Sequence, residues 1–295
     1  MRAGQLPAAG ARGPDWASVD IAVPRPARHL PGVSMAGFRQ RAPVPMDIAM
    51  VAHPSVTLLF DLSDGDGLVY DARGRQERGS AVVGLLPGEL RAGGRVGACL
   101  QIRLQPAVAA AVLGVSTELS GTVVPLADVW GPDAGRAEDR LRAVESWDAR
   151  FAIAGELLRG RADSRPPVDP EVAHSWRRTL ADRGRVRVDG LAGEVGWSRK
   201  RLSARFRSQL GITPKRAARL VRFDHAAHLL AAGHPAARVA VESGYVDQSH
   251  LHREVRDFAG LTPAGVASAP WLAIDDVAWP TPARPSSGHR FEGRP

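Results

Sequence analysis

The sequence predicts an α+β chain. A small β-rich domain with helices comes first. An all-α domain follows, in which a long helix joins two helix-turn-helix units. Three observations predict this. Residues 55–104 hold β-branched and alternating runs broken by Gly and Pro. Residues 195–214 (VGWSRKRLSARFRSQLGITP) and 244–263 (GYVDQSHLHREVRDFAGLTP) share one punctuation: a Gly–aromatic pair, a capping residue, an apolar stripe, a Gly and a Thr-Pro pair. Between the two copies, residues 214–232 run as one helical pattern that Gly233 stops.

The chain divides accordingly. Residues 1–30, rich in Pro, Gly, Ala and Arg, are expected to be poorly ordered. Residues 31–162 form the β-rich domain, 163–169 a linker, 170–270 the all-α domain, and 271–295 a tail. In the first domain, SVTLLFDL from Ser55 and GLVY from Gly67 read as strands about the turn Asp64-Gly65-Asp66-Gly67. That Asp-rich turn is not a calcium loop, because Leu62 stands at the first ligand position. AVVGLL from Ala81 and CLQIRL from Cys99 add two strands. In the latter, Leu100, Ile102 and Leu104 alternate with Gln101 and Arg103, which predicts a half-buried strand. Pro87-Gly88 and Gly93-Gly94 mark turns, and the sum is a mostly antiparallel sheet. Pro106 then opens a helix that Gly114 ends, and residues 123–130 read as a connector. Leu141 and Val144 anchor one further helix. Phe151, Ile153, Leu157 and Leu158 anchor another, with Ser146 as its cap.

The linker holds Pro166-Pro167, which makes it extended and semi-rigid. Val172, Trp176 and Leu180 stand at i, i+4, i+8 of the next helix. Asp189 is the expected cap of a short helix carrying Leu191 and Ala192. Ser198 caps the helix whose apolar side is Leu202 and Phe206. About 19 residues of long helix at ~1.5 Å each reach roughly 28 Å, the order of the ~34 Å between half-sites on one face of B-DNA. Val239 and Ala240 precede the second unit, where Asp247 is the cap and Leu251, Val255 and Phe258 form the stripe. The other faces carry Gln248, Ser249, His250, His252, Arg253 and Arg256. Such a set of amide, hydroxyl, imidazole and guanidinium donors is what a helix entering a major groove needs. After residue 270, the segment from Trp271 to Ile274 is expected to dock on this domain, with a loose Pro-rich tail beyond.

Charge separates the two domains. Residues 170–270 hold 17 Lys and Arg against 9 Asp and Glu. The remainder holds 22 of each sign, so the whole excess of +8 sits in the all-α block. That is the electrostatic footprint of a polyanion binder. Cys99 is the only cysteine, which excludes an internal disulfide framework and a Cys-rich metal site and suits a reducing cytoplasm. No run approaches the ~18 apolar residues of a membrane span, and MRAGQLPAAGARGPDW lacks a secretory hydrophobic segment. A cytoplasmic location without a membrane partner is therefore expected. His225 and His228 lie i, i+3, but no His-Glu-x-x-His signature and no Gly-rich phosphate loop is present. No catalytic residue, metal or cofactor is expected.

The segments GYVDQSHLHR, FAGLTP and RLSARFRSQLGITPKR resemble the paired helix-turn-helix domain of AraC/XylS-type transcription regulators, over about residues 168–270. One departure is visible: Val255 stands where that family usually has Phe, with Phe258 one turn on to fill the space. The β unit followed by PAVAAAVLGV and VVPLADVWG resembles, more weakly, the amino-terminal domain of one AraC-type subgroup. The resemblance implies a bacterial, sequence-specific regulator of transcription that binds double-stranded DNA, with two recognition helices in successive major grooves. It implies base contacts at Lys200, Ser203 and Ala204 in the first unit and at Gln248, Ser249, His250 and Arg253 in the second. Arg253 suits guanine and Gln248 adenine, while Ala204 offers only an apolar surface such as a thymine methyl requires. Arg199, Arg205, Arg207, Lys215, Arg216 and Arg256 are the candidates for phosphates. The other implied partners are RNA polymerase, a small-molecule effector and a second copy of the chain. For the β-rich domain a ligand pocket and a purely structural or dimerising role both stay open. The competing function is a nucleoid-type general DNA-binding protein without ligand response.

Overall fold

The computed structural model describes residues 16–25, 30–41, 45–64, 67–72, 75–85, 90–114, 121–269 and 272–279. The strands are β1 (Val19–Ala22), β2 (Val33–Gln40), β3 (Met46–Met50), β4 (Val56–Asp61), β5 (Gly67–Ala72), β6 (Arg75–Arg78), β7 (Ala81–Val83), β8 (Leu90–Arg95), β9 (Ala98–Leu104) and β10 (Val123–Pro125). They form two sheets, in the orders β1-β2-β9-β4-β7-β10 and β3-β8-β5-β6. All of these pairings are antiparallel. Phe38, Leu59, Val83 and Cys99 of the larger sheet share a core with Met50, Leu68, Tyr70 and Leu90 of the smaller one. The opposite face of the larger sheet, with Leu58, Phe60, Leu100, Ile102 and Leu104, packs under four helices. These are α1 (Pro106–Leu113), α2 (Leu126–Trp130), α3 (Pro132–Arg142) and α4 (Trp147–Asp163).

This layering corrects the reading of β9. It lies between β2 and β4 and is covered on both faces, so Gln101 is only 1% exposed. A strand at the centre of a covered sheet has no water side, whatever its alternation suggests. Gly37, opposite Leu100 in β2, is required by the layer above. A Cβ there would collide with the Trp147 ring, which stacks on Phe151 at 6.0 Å.

Other expectations shift as well. Val19–Ala22 pairs with β2, although it falls in the stretch expected to be poorly ordered. Gly93 and Gly94 lie inside β8, not in a turn. Gly94 takes φ +102° because its backbone passes close to the Gly67 carbonyl. The connector over 123–130 is strand β10 followed by helix α2. Val144 falls beyond the end of α3, while Ser146 caps α4 by accepting from the Ala149 N–H at 3.2 Å. The expected turn at Pro87-Gly88, the Gly65-Asp66 tip and Trp271 in the tail lie outside the described residues.

The second domain holds α5 (Pro170–Ala181), α6 (Val188–Glu194), α7 (Arg199–Leu210), α8 (Pro214–Ala231), α9 (Ala236–Glu242), α10 (Gln248–Ala259) and α11 (Pro263–Ala267). Helix α8 is its spine. Ala217, Leu220, Val221, Phe223, Ala226 and Leu230 are buried because α5, α7, α9, α10 and α11 all pack on it. Trp176 of α5 meets Phe206 of α7 at 6.4 Å, and Phe223 of α8 stacks on Phe258 of α10 at 5.1 Å. Val255 is fully buried on the same helix as Phe258. The chain then returns to the β domain. Leu272 packs against α8 as expected, whereas Ile274 and Ala278, at and within α12 (Asp275–Ala278), join the core between the two sheets.

Gly184 ends the segment after α5 at φ +71°, where a Cβ would strike the Ala218 carbonyl oxygen of α8. Gly184→Ala is expected to cost about 1–3 kcal/mol or more, the scale of a non-glycine residue forced into the left-handed region. Urea unfolding of the full chain measures this, and an unchanged midpoint would contradict the close packing of α5 on α8.

Candidate nucleic-acid interface

Both units are built by the same local physics. After α6, Gly196 at φ +67° turns the chain, and Ser198 Oγ accepts from the Arg201 N–H at 3.2 Å to start α7. After α9, Gly244 at φ +75° turns it again, and Asp247 Oδ1 accepts from the His250 N–H at 2.7 Å to start α10. Gly211 and Gly260 close the two helices in the left-handed conformation. Thr213 and Thr262 then cap α8 and α11 through their hydroxyls. Asp189 is not the cap of α6. That helix begins at Val188, one residue earlier, so Asp189 sits in its first turn and pairs with Arg199 at 3.0 Å.

Lys200 and Ala204 are exposed on α7, with Ser203 half-buried beside them. Gln248, Ser249, Arg253 and Arg256 are exposed on α10. His250 is drawn inward: its ring meets the edge of Tyr245 at 5.2 Å, and its Nε2 lies 3.9 Å from Glu254. Arg253 Nε reaches only the Ser249 carbonyl at 3.4 Å, and the Gln248 amide lies 3.5 Å from His252. Among the described residues, no ion-pair partner accompanies Lys200, Arg207, Lys215, Arg253 or Arg256.

Two of the phosphate candidates are differently employed. Arg205 makes two 2.7 Å bonds to Asp169, fastening the end of the linker to α7. The hydrogen bond from Arg205 also holds the Asp169 carboxyl below its ordinary range. Arg216 pairs with Asp257 at 3.0 Å and lies 4.8 Å over the Phe258 ring.

The residues that set α10 were not singled out from the sequence. Glu254, on the inner face of α10, has a side chain only 3% exposed. It accepts from Arg219 Nε and from Arg222 Nη2, each at 2.9 Å. Asp257, one turn on, accepts from Arg219 Nη2 at 2.7 Å. Arg222 also lies 4.7 Å over the Tyr245 ring, which ties in the turn before α10. The available signal was complementary spacing: Arg216, Arg219 and Arg222 at three-residue steps on α8, Glu254 and Asp257 at the same step on α10. Between the units lies a cleft of about 720 Å³, lined among others by Val188, Lys215, Arg219, Arg222, His250 and Arg253.

Glu254→Ala is expected to lower stability by about 3 kcal/mol, the low end for removing one partner of a buried pair, because both arginines keep some access to water. Chemical unfolding of the full chain checks this, and a change within about ±0.5 kcal/mol, the size of an ordinary surface substitution, would remove Glu254 from the role of anchor.

Residues 191–268 match the family model described as "Helix-turn-helix domain". No curated protein matches the chain in sequence. Among solved structures, the chain is similar to ToxT from Vibrio cholerae O395, with 9% identity, a TM-score of 0.45, and coverage of 81% of this chain and 98% of that one. It is also similar to the C-terminal domain of AraT, a response regulator from Geobacillus stearothermophilus, with 20% identity, a TM-score of 0.32, and coverage of 34% and 85%. The AraC-like transcriptional activator CuxR gives 14% identity, a TM-score of 0.32, and coverage of 68% and 84%. The family match and the two capped units joined by one long helix together make the carboxy-terminal part of this chain a paired helix-turn-helix domain.

Proposed function

We propose that this protein regulates transcription by binding specific double-stranded DNA, with α7 and α10 in successive major grooves. One observation carries the reading: two helices with the same turn and cap geometry are held on a single helix of the right length. Helix α8 has 18 residues, about 27 Å at ~1.5 Å per residue. That is close to the ~34 Å repeat of the grooves. The reading assigns base contacts to Lys200, Ser203 and Ala204 on α7 and to Gln248, Ser249 and Arg253 on α10. His250, packed on Tyr245, serves by shaping the turn. Arg199, Arg207, Lys215 and Arg256 approach phosphates, whereas Arg205 and Arg216 act within the fold.

The β-sandwich is the proposed regulatory domain, responding to a small-molecule effector and pairing with a second copy of the chain. RNA polymerase is the proposed downstream partner, and the cytoplasm is where that encounter takes place. Among the described residues, no helix is long and apolar enough to cross a membrane.

Selection from random duplex DNA by the full chain is expected to enrich a motif of two patches one helical turn apart. Recovery of unselected sequence would favour a general DNA-coating protein instead. On the enriched duplex, Arg253→Ala is expected to weaken binding by about 1–3 kcal/mol and to relax one base position. Equal loss on random DNA would count against base reading. With about 6–10 phosphate contacts, log K should fall against log salt with a slope of several units. A flat response would contradict the assignment of phosphate contacts.

A further inference from the structure

The carboxy-terminal segment after the DNA-binding domain folds back across the seam between the two domains. Ile274 and Ala278 enter the core between the two sheets, while Val277 points outward and is 59% exposed. Asp275 sits at the centre of the seam. Its carboxylate accepts from Arg103 of β9 at 3.0 Å and lies 2.7 Å from His228 Nε2 of α8. The other ring nitrogen, His228 Nδ1, is 2.7 Å from the Asp224 carbonyl. The Arg103 guanidinium lies 4.0 Å over the Trp279 ring. One acidic side chain thus joins the sandwich, the long helix and α12.

The joint is polar. His53, Gln101, Arg103, Asp224, His228 and Asp275 all face it. His53 Nδ1, both polar atoms of the Gln101 amide and Arg103 Nε are buried without a hydrogen-bond partner. Each such group favours the open, hydrated seam and so offsets part of the stabilisation from apolar contact. The ionic pin itself is firm at neutral pH. The Asp275 hydrogen bond, against burial, raises His228 to about 9. Burial works against the Asp275 charge, but the hydrogen bonds and charges of His228 and Arg103 outweigh it and hold the carboxyl at about 2. Burial pushes Asp224 up to about 6, with the His228 charge opposing, and lowers His53 to about 3, with Arg103 adding to the effect.

The seam does not cover the proposed DNA face. Asp224 and His228 follow Arg219 by five and nine residues, roughly 140° and 180° round the helix. Arg219 faces the cleft beside α10. Helix α8 therefore carries α10 on one side and the seam on the other.

We propose that residues 272–279 are a releasable latch that closes the mouth of the β-sandwich and pins it to α8. Resting on the DNA-binding reading above, the proposal extends to transmission: opening the latch is how a change in the amino-terminal domain reaches the recognition helices. The latch acts from the back of α8 and not by occluding the DNA face.

The test uses the full chain carrying Asp275→Asn, which keeps the shape and removes the charge, with Val277→Asp as the control on the exposed side. Amide exchange over residues 225–231 and 272–278 is expected to rise at least about tenfold in Asp275→Asn and to stay unchanged in the control. Affinity for the enriched duplex is expected to shift several-fold in the same variant. Unchanged exchange would overturn the latch. Faster exchange with unchanged DNA affinity would overturn the transmission. Arg103→Gln repeats the test from the sandwich side with the same expectation, which covers the case in which Asp275→Asn does not fold. The exchange measurement needs no DNA, so a failure of the DNA-reading proposal leaves the latch standing or falling by itself.

Discussion

The position of α10 depends on one buried carboxylate. Glu254 lies between Arg219 and Arg222 of α8, and Asp257 extends the contact by a turn. An apolar face such as Leu251, Val255 and Phe258 buries α10 but tolerates small rotation and sliding, because apolar contact is non-directional. A carboxylate held by two guanidinium groups is directional, and it fixes the rotation of the helix about its own axis. Desolvating the three charges consumes much of their mutual attraction, so the cluster is a weak source of net stability. What it supplies is register. The proposed base reading requires side chains placed to a fraction of an ångström, which a helix free to roll could not hold.

The same reasoning separates the arginines of the domain into two populations. Arg205, Arg216, Arg219 and Arg222 hold the fold together through Asp169, Glu254 and Asp257. Lys200, Arg207, Arg253 and Arg256 stand exposed on the two recognition helices. A net charge summed over residues cannot tell these apart, since both populations contribute to the same +8. The distinction matters physically. Exposed charges are screened within roughly 10 Å at ordinary ionic strength and respond to salt, whereas the buried cluster responds far less. The long-range field that attracts a polyanion and the short-range contacts that set the helix therefore belong to different residues.

What the sequence revealed follows from the range of the forces involved. The caps at Ser198, Thr213, Asp247 and Thr262, and the glycines that end α7 and α10, act over three or four residues. They leave a local pattern, and the repeat made that pattern readable. The strands around Val56 and Ala98 were legible for the same reason. The burial of Gln101 was not, because alternation reports two faces but not what the rest of the chain lays over them. Gly93-Gly94 read as a turn because glycine permits turns and close backbone approach alike. The bond between Arg103 and Asp275 spans 172 residues. No local rule connects positions so far apart, and a tail read for its apolar, Pro and Gly residues hides the carboxylate that closes the seam.

The two ionic centres of the molecule use similar groups to opposite ends. At Glu254 both arginines meet a carboxylate on an element already held by Phe223 and Phe258, so the charge cluster and the apolar core reinforce each other, with Arg222 Nε and the Tyr245 hydroxyl as the orphaned atoms there. At Asp275 the ionic pin is set among orphaned polar atoms of His53, Gln101 and Arg103, so the surroundings oppose it. A joint whose pin and surroundings agree has one state. A joint whose surroundings oppose its pin costs less to open, which is the property that a differential interaction elsewhere can exploit. Both centres sit on α8, on roughly opposite faces. The rigid one keeps α10 in register on α8, and the conflicted one is where release of the sandwich, as proposed, is passed to α8 and the helices it carries.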